Sequence, residues 1–184
     1  MQDAKIRAFM TLAGQKIAIA PQLGTPEQRR LGAQLLLSEC LEYVIKGLGV
    51  LPEFNGTQIS DANALRYVSK AEPEALEMLD GLSDVAYTMY WNALAFGLPL
   101  EKAFDLVCDN NLEKFVRLPD WQGPARPLER SEWACSCEIS WPSEVVQVEV
   151  LQVGSEYFAV GKDAHGKVRK PSSYTSVDLR ALLK

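Results

Sequence analysis

Two acid-x-x-acid pairs, each set in an apolar, helix-periodic run, constrain this chain more than any other feature. The first is Glu39 and Glu42, inside Leu35-Leu36-Leu37-Ser38-Glu39-Cys40-Leu41-Glu42-Tyr43-Val44. The second is Glu77 and Asp80, inside Glu77-Met78-Leu79-Asp80-Gly81-Leu82-Ser83-Asp84. Residues three apart share one helix face, with Cβ atoms about 5–6 Å apart. Two like charges at that spacing repel and weaken an isolated helix. Two such pairs on two helices are what a shared cation would explain, and all-oxygen ligands suit a hard cation such as Mg²⁺.

The chain has 184 residues, enough for one domain with a sizeable core and a small appendage. Its formal net charge of −5 argues against a broad nucleic-acid or anionic-membrane surface. It leaves room for an anionic small substrate, because a metal can supply the positive charge. Met1 to Met10 carries Asp3, Lys5 and Arg7 with no long apolar core behind them. The most apolar stretch, Val85 to Leu100, is broken by Thr88, Asn92, Gly97 and Pro99, and reads as a buried helix rather than a membrane span. The expected setting is therefore the reducing cytoplasm, with no membrane partner. Of the four cysteines, Cys40 and Cys108 read as small core residues on helices.

The spacing predicts a short amphipathic helix over Ala4 to Leu12. A second begins at Thr25-Pro26-Glu27-Gln28, with Thr as cap and Pro at the first helical position, and runs to about Lys46. Leu51 to Gln58 reads as a linker, and Asp61 to Ser69 as a short helix. A long helix starts near Pro73 and reaches Phe96, with Glu77, Asp80 and Asp84 on one face at i, i+3 and i+7. Pro99 opens a fourth helix, to about Phe115. Beyond it the composition changes. Leu118 to Leu128 is rich in proline and irregular. Trp133, Cys135, Cys137, Ile139 and Trp141 alternate with Ala134, Ser136, Glu138 and Ser140, the pattern of a strand. Val145 to Val153 and Glu156 to Val160 follow as further strands around Gly154-Ser155. The basic stretch Gly166 to Tyr174 reads as a loop, and Val177 to Lys184 as a closing helical turn. The expected class is mainly α: a helical bundle with a small C-terminal antiparallel β meander. Its expected divisions are a bundle over 1–116, an irregular segment with the meander over 117–162, and a basic loop with a short helical end over 163–184.

Glu39-x-x-Glu42 followed by Glu77-x-x-Asp80 resembles the ExxE…ExxD signature of the all-α nucleoside triphosphate pyrophosphohydrolases, the superfamily of MazG, the dimeric dUTPases and phosphoribosyl-ATP pyrophosphohydrolase. Ile6 to Phe9, Asp80 to Tyr87, Ala93 to Gly97, Asn111 to Lys114 and Gly166 to Pro171 with Tyr174 extend the similarity to about two-thirds of the chain. The chain has Ser38 where many members carry a further Glu. The resemblance implies attack of water on the α-phosphorus of a nucleotide, giving monophosphate and pyrophosphate. It implies Mg²⁺, with Mn²⁺ as a substitute, on Glu39, Glu42, Glu77 and Asp80, and Asp84 close by. Glu39 or Glu42 would be the alternative acceptor of the water proton. Asn111, Lys114, Tyr87 and Lys170 would contact substrate, with Lys167 and Arg169 beside Lys170. A homodimer or homotetramer is implied.

Four other readings compete. A carboxylate-bridged iron pair would use Glu-x-x-His on two helices, but the single histidine, His165, falls outside them. Cys135-x-Cys137 falls short of the four ligands of a closed zinc site. Gly161-Lys162 and Gly166-Lys167 lack P-loop spacing. A nucleotide-binding module without turnover is the remaining alternative to the enzyme.

Overall fold

The computed structural model describes residues 3–69, 72–135 and 138–183. It forms two compact units, one of Met1–Ile19 with Ala86–Lys184 and one of Ala20–Val85. The expected mainly α bundle is overturned. Among the described residues, four α-helices share the chain with a two-stranded and a four-stranded antiparallel sheet. The fold is mixed α and β because the large sheet, rather than the helices, holds the most deeply buried side chains: Val145, Val148, Val150 and Val160.

The larger unit contains α1 (Asp3–Leu12), α4 (Leu100–Leu112) and the strands β3 (Val116–Arg117), β4 (Arg126–Pro127), β5 (Val145–Val153) and β6 (Glu156–Asp163), in sheet order β3-β6-β5-β4. Two earlier strands, β1 (Glu53–Phe54) and β2 (Thr57–Gln58), belong to the smaller unit. The β5–β6 hairpin turns at Gly154-Ser155, where Gly154 takes a φ of 62° that favours glycine. Alternate residues of a strand face opposite sides, and both sides of this hairpin are covered. Val148, Val150 and Ala159 join Leu118, Leu128, Cys135 and Val145, with Trp121, Trp133 and Trp141 packed on them. Val160, Leu151 and Phe158 join Leu12, Ala13, Phe115, Val168 and Phe9. Phe9 of α1 meets Phe115 edge to face, with centroids 5.1 Å apart.

The stretch from Trp133 to Trp141 departs from the predicted strand. A 3₁₀ turn spans Arg130–Glu132, turns follow, and Cys135 and Glu138 have φ of 49° and 53°, which no extended strand allows. Ser136 and Cys137 lie outside the described residues. The tryptophans alternate in sequence because they reach the core from a folded loop: Trp141 donates through its indole N–H to the Trp133 carbonyl at 3.0 Å, and Trp133 to that of Leu128 at 3.3 Å.

The smaller unit contains α2 (Pro26–Glu42), a π-helical turn over Tyr43–Gly47, the strands β1 (Glu53–Phe54) and β2 (Thr57–Gln58), and the first part of α3 (Ala75–Ala95). Thr25 and Gln28 form the predicted capping box. The expected linker holds a hairpin instead. Asn55 and Gly56 take φ of 51° and 75°, the pair of left-handed residues that a two-residue hairpin turn needs. The expected helix over Asp61 to Ser69 is irregular, and Cys40 is exposed rather than core. None of the described residues of this unit is buried.

Gly161 lies beneath the Trp141 ring, and an added Cβ would sit 2.4 Å from Trp141 Cε3. Gly161→Ala is expected to cost about 1–3 kcal/mol through overpacking, read as a lower urea midpoint. An unchanged midpoint would show that the ring is free to move aside.

Candidate functional site

The first acid pair lies near the C-terminal end of α2. Glu39 and Glu42 share the face of Leu31 and Leu35, and both acids are exposed. Glu42 pairs with Lys46 one turn on, at 2.7 Å, and so raises the pKa of that ammonium. Ser38, between Leu35 and Glu39, donates its hydroxyl to the Leu35 carbonyl at 3.2 Å. That bond occupies the hydroxyl within its own helix turn.

The second set lies in the first turns of α3. Glu77, Asp80 and Asp84 form an exposed acidic stripe beside Leu76, Leu79 and Leu82. Those leucines are 67%, 66% and 58% exposed, far more than leucines of a closed core. In kind, the donors match a hard cation, being carboxylates without sulfur or imidazole. Their assembly within one chain is another matter: among the described residues, no group of three or more His, Cys, Asp or Glu side chains is placed to hold a metal ion. Each helix contributes its own pair or stripe.

The expected substrate contacts lie on α3, at the end of α4 and in the basic tail. Asn111 and Lys114 bond to each other across the end of α4, Nζ to Oδ1 at 2.6 Å, and Lys114 also lies over the Phe9 ring. Tyr87 is exposed on α3. Lys170 is exposed, with its ammonium 4.7 Å from the centroid of the Tyr174 ring. Around it the basic tail has structural work. Arg169 donates to Asp163, which also accepts from the backbone N–H groups of His165 and Lys167. The polar anchor of the tail is Asn110, the neighbour of the expected Asn111. It is buried, donates to the Thr175 carbonyl at 2.6 Å, and accepts from the Val177 N–H and the Tyr174 hydroxyl. Burial, with Glu113 adding to it, pushes that phenol's pKa up.

Comparison of the chain with protein-family models, with curated proteins and with solved structures returns no match. The reading of function therefore rests on the residues. Among the described residues, no helix is long and apolar enough to cross a membrane.

Sequence reasoning passed over one basic feature. Arg29 and Arg30 of α2, with Ala33, face Arg66, Tyr67, Val68 and Ser69 across an open pocket of about 330 Å³. Its parts are 36 residues apart, from Arg30 to Arg66, and no local spacing announces that they meet. The adjacent Arg29-Arg30 pair was the only visible signal.

Asp163 gives a pH prediction. Burial opposes its charge, but the N–H groups of Lys167 and His165 and the Arg169 guanidinium outweigh that and hold its pKa below the ordinary 3.8. With the folded pKa depressed, its contribution is fully present above the unfolded value and is lost as pH falls through the folded one. Asp163→Asn is expected to lower stability by about 1–3 kcal/mol at neutral pH by weakening the bonds from Arg169, His165 and Lys167, and to flatten the acid limb of the stability–pH curve below pH 3.8. Urea denaturation across pH measures both. An unchanged acid limb would remove Asp163 as its source.

Proposed function

We propose that the chain is a Mg²⁺-dependent nucleotide pyrophosphohydrolase whose carboxylate site is completed when α2 and α3 pack against a second copy of the chain. The observation carrying this reading is that both acid sets border exposed leucines in a unit with no buried residue among those described. An apolar face of that extent asks for cover. The acids beside it would then be drawn together with those of the partner. The resemblance to the pyrophosphohydrolases supports the reading for the acid pairs and for the substrate contacts named below.

Glu39, Glu42, Glu77 and Asp80 would hold the cation, Mg²⁺ or Mn²⁺, with Asp84 at its margin. When bound, it supplies charge neutralisation and Lewis acidity toward the phosphate chain. The chain's own residues do the rest. Either Glu39 or Glu42 accepts the proton of the attacking water. The water oxygen bonds to the α-phosphorus, the bond from that phosphorus to the bridging oxygen breaks, and pyrophosphate leaves. Lys114, Asn111, Tyr87 and Lys170 are the proposed contacts to the nucleotide.

The hydroxyl of Ser38, bonded back to Leu35, favours a second reading, in which the same fold binds nucleotide without turnover.

A nucleotide panel assayed with Mg²⁺ or Mn²⁺ is expected to yield monophosphate and pyrophosphate from at least one triphosphate. Glu42→Gln and Asp80→Asn should each reduce the rate about 100-fold or more with the fold intact by circular dichroism. Absence of turnover across the panel overturns the enzyme reading, and tight nucleotide binding with no product selects the second.

Sedimentation equilibrium should show a dimer or tetramer, and Leu79→Glu should shift it toward monomer and abolish turnover together. A monomeric wild-type chain with full activity would overturn the shared site.

A further inference from the structure

We propose that the pocket between the first turns of α2 and residues 66–69 binds the phosphate group of a small-molecule ligand. Among the described residues, the lining has three arginines and no acid: Arg29, Arg30 and Arg66, in a chain whose net charge is −5. Arg29 is held by neutral acceptors, the carbonyls of Gly24 at 2.8 Å and Leu23 at 3.3 Å, so its side chain is fixed while its charge is uncompensated there. Arg30 divides its guanidinium between Glu27 at 2.8 Å and the Ser69 hydroxyl at 3.1 Å. The second bond ties residues 66–69 to α2. Among the described residues, Arg66 has no ion pair or hydrogen bond.

Tyr67 supplies an independent observation. It lines the same pocket, and its hydroxyl is buried with no hydrogen-bond partner. Buried polar groups are rarely left so, and an acceptor oxygen entering the pocket would satisfy it. Guanidinium forks and a phenol donor match a tetrahedral oxyanion, and arginine binds phosphate through two parallel bonds. The volume, about 330 Å³, is at the lower end for ligand pockets and leaves room for a body behind the phosphate. Arg30 precedes Glu39 by nine residues on α2, roughly 14 Å of helix rise. The pocket is therefore separate from the acid pair, and the inference stands without the pyrophosphohydrolase reading.

Inorganic phosphate and pyrophosphate, titrated separately into the full chain in buffer containing EDTA, test this. EDTA keeps an acid-bound cation from recruiting them. Calorimetry should show saturable binding, and backbone amide shifts should map to residues 29–30 and 66–69. Arg66→Ala should weaken binding about tenfold or more, and Glu27→Gln should tighten it by freeing Arg30. Sulfate should compete, while chloride at matched ionic strength should not. Three results would overturn the proposal: no saturable binding of either anion, affinity unchanged in a folded Arg66→Ala, or displacement by chloride as effective as by sulfate. If Arg66→Ala unfolds the chain, the Glu27→Gln affinity and the map of amide shifts decide, and an unchanged affinity or shifts elsewhere sink it.

Discussion

The pairing of β5 with β6 is the constraint from which the larger unit follows. Eight paired positions bring Val145, Val148, Val150 and Val160 into a sheet covered on both sides. Apolar residues take the hairpin positions that face the two cores, while Gln147, Gln152 and Glu156 stay exposed. Glu149 and Lys162 differ from these. They lie largely out of water and bond to each other, so neither charge is left uncompensated. The short strands β3 and β4 have two residues each and could not hold a sheet alone. They exist because the hairpin offers them edges.

In the smaller unit the balance is different. Its helices carry exposed apolar residues with acids beside them, and no described residue is buried as a whole. Local interactions therefore carry much of the order: the Thr25–Gln28 capping box, the Glu42–Lys46 pair and the Arg30–Ser69 bond. Exposed pairs of this kind are screened by water and contribute little. That deficit is the physical ground for expecting cover from a further copy. It also explains how a like-charged stripe can persist on α3: exposed carboxylates stay hydrated, and repulsion between them is screened.

What the sequence disclosed, and what it withheld, follows the range of the interactions involved. Helix starts and stops are local, so Pro26 after Thr25, Pro99 before Leu100 and Gly97 after Ala95 could be read directly. The hairpin at Val145 was legible from its β-branched composition. Asn55-Gly56 carried an equally local signal, and the expectation of a linker overlooked it. The alternation from Trp133 to Trp141 has the period of a strand, but the left-handed backbone at Cys135 and Glu138 interrupts it, and the described residues there form turns and irregular chain. The mainly α class failed because the expected meander was read as an appendage, whereas its two long strands hold the most deeply buried side chains and recruit two-residue strands that carry no periodicity. The acid pairs were legible as motifs, but whether they converge depends on contacts far apart in sequence or in another chain. The arginine pocket was invisible for the same reason.

The helix α3 runs unbroken through Val85 and Ala86, where one compact unit gives way to the other. Its acids occupy the first eleven residues, Ala75 to Val85, about 16 Å of rise. A segment that short is marginal as a helix in water, because nucleation is costly and the last four carbonyls would lose their partners. Excising the smaller unit at that boundary would thus unwind the backbone that spaces Glu77, Asp80 and Asp84. The alignment of the acidic stripe depends on a helix that continues past Val85 to Ala95, so the boundary between the units is a poor place to divide the chain.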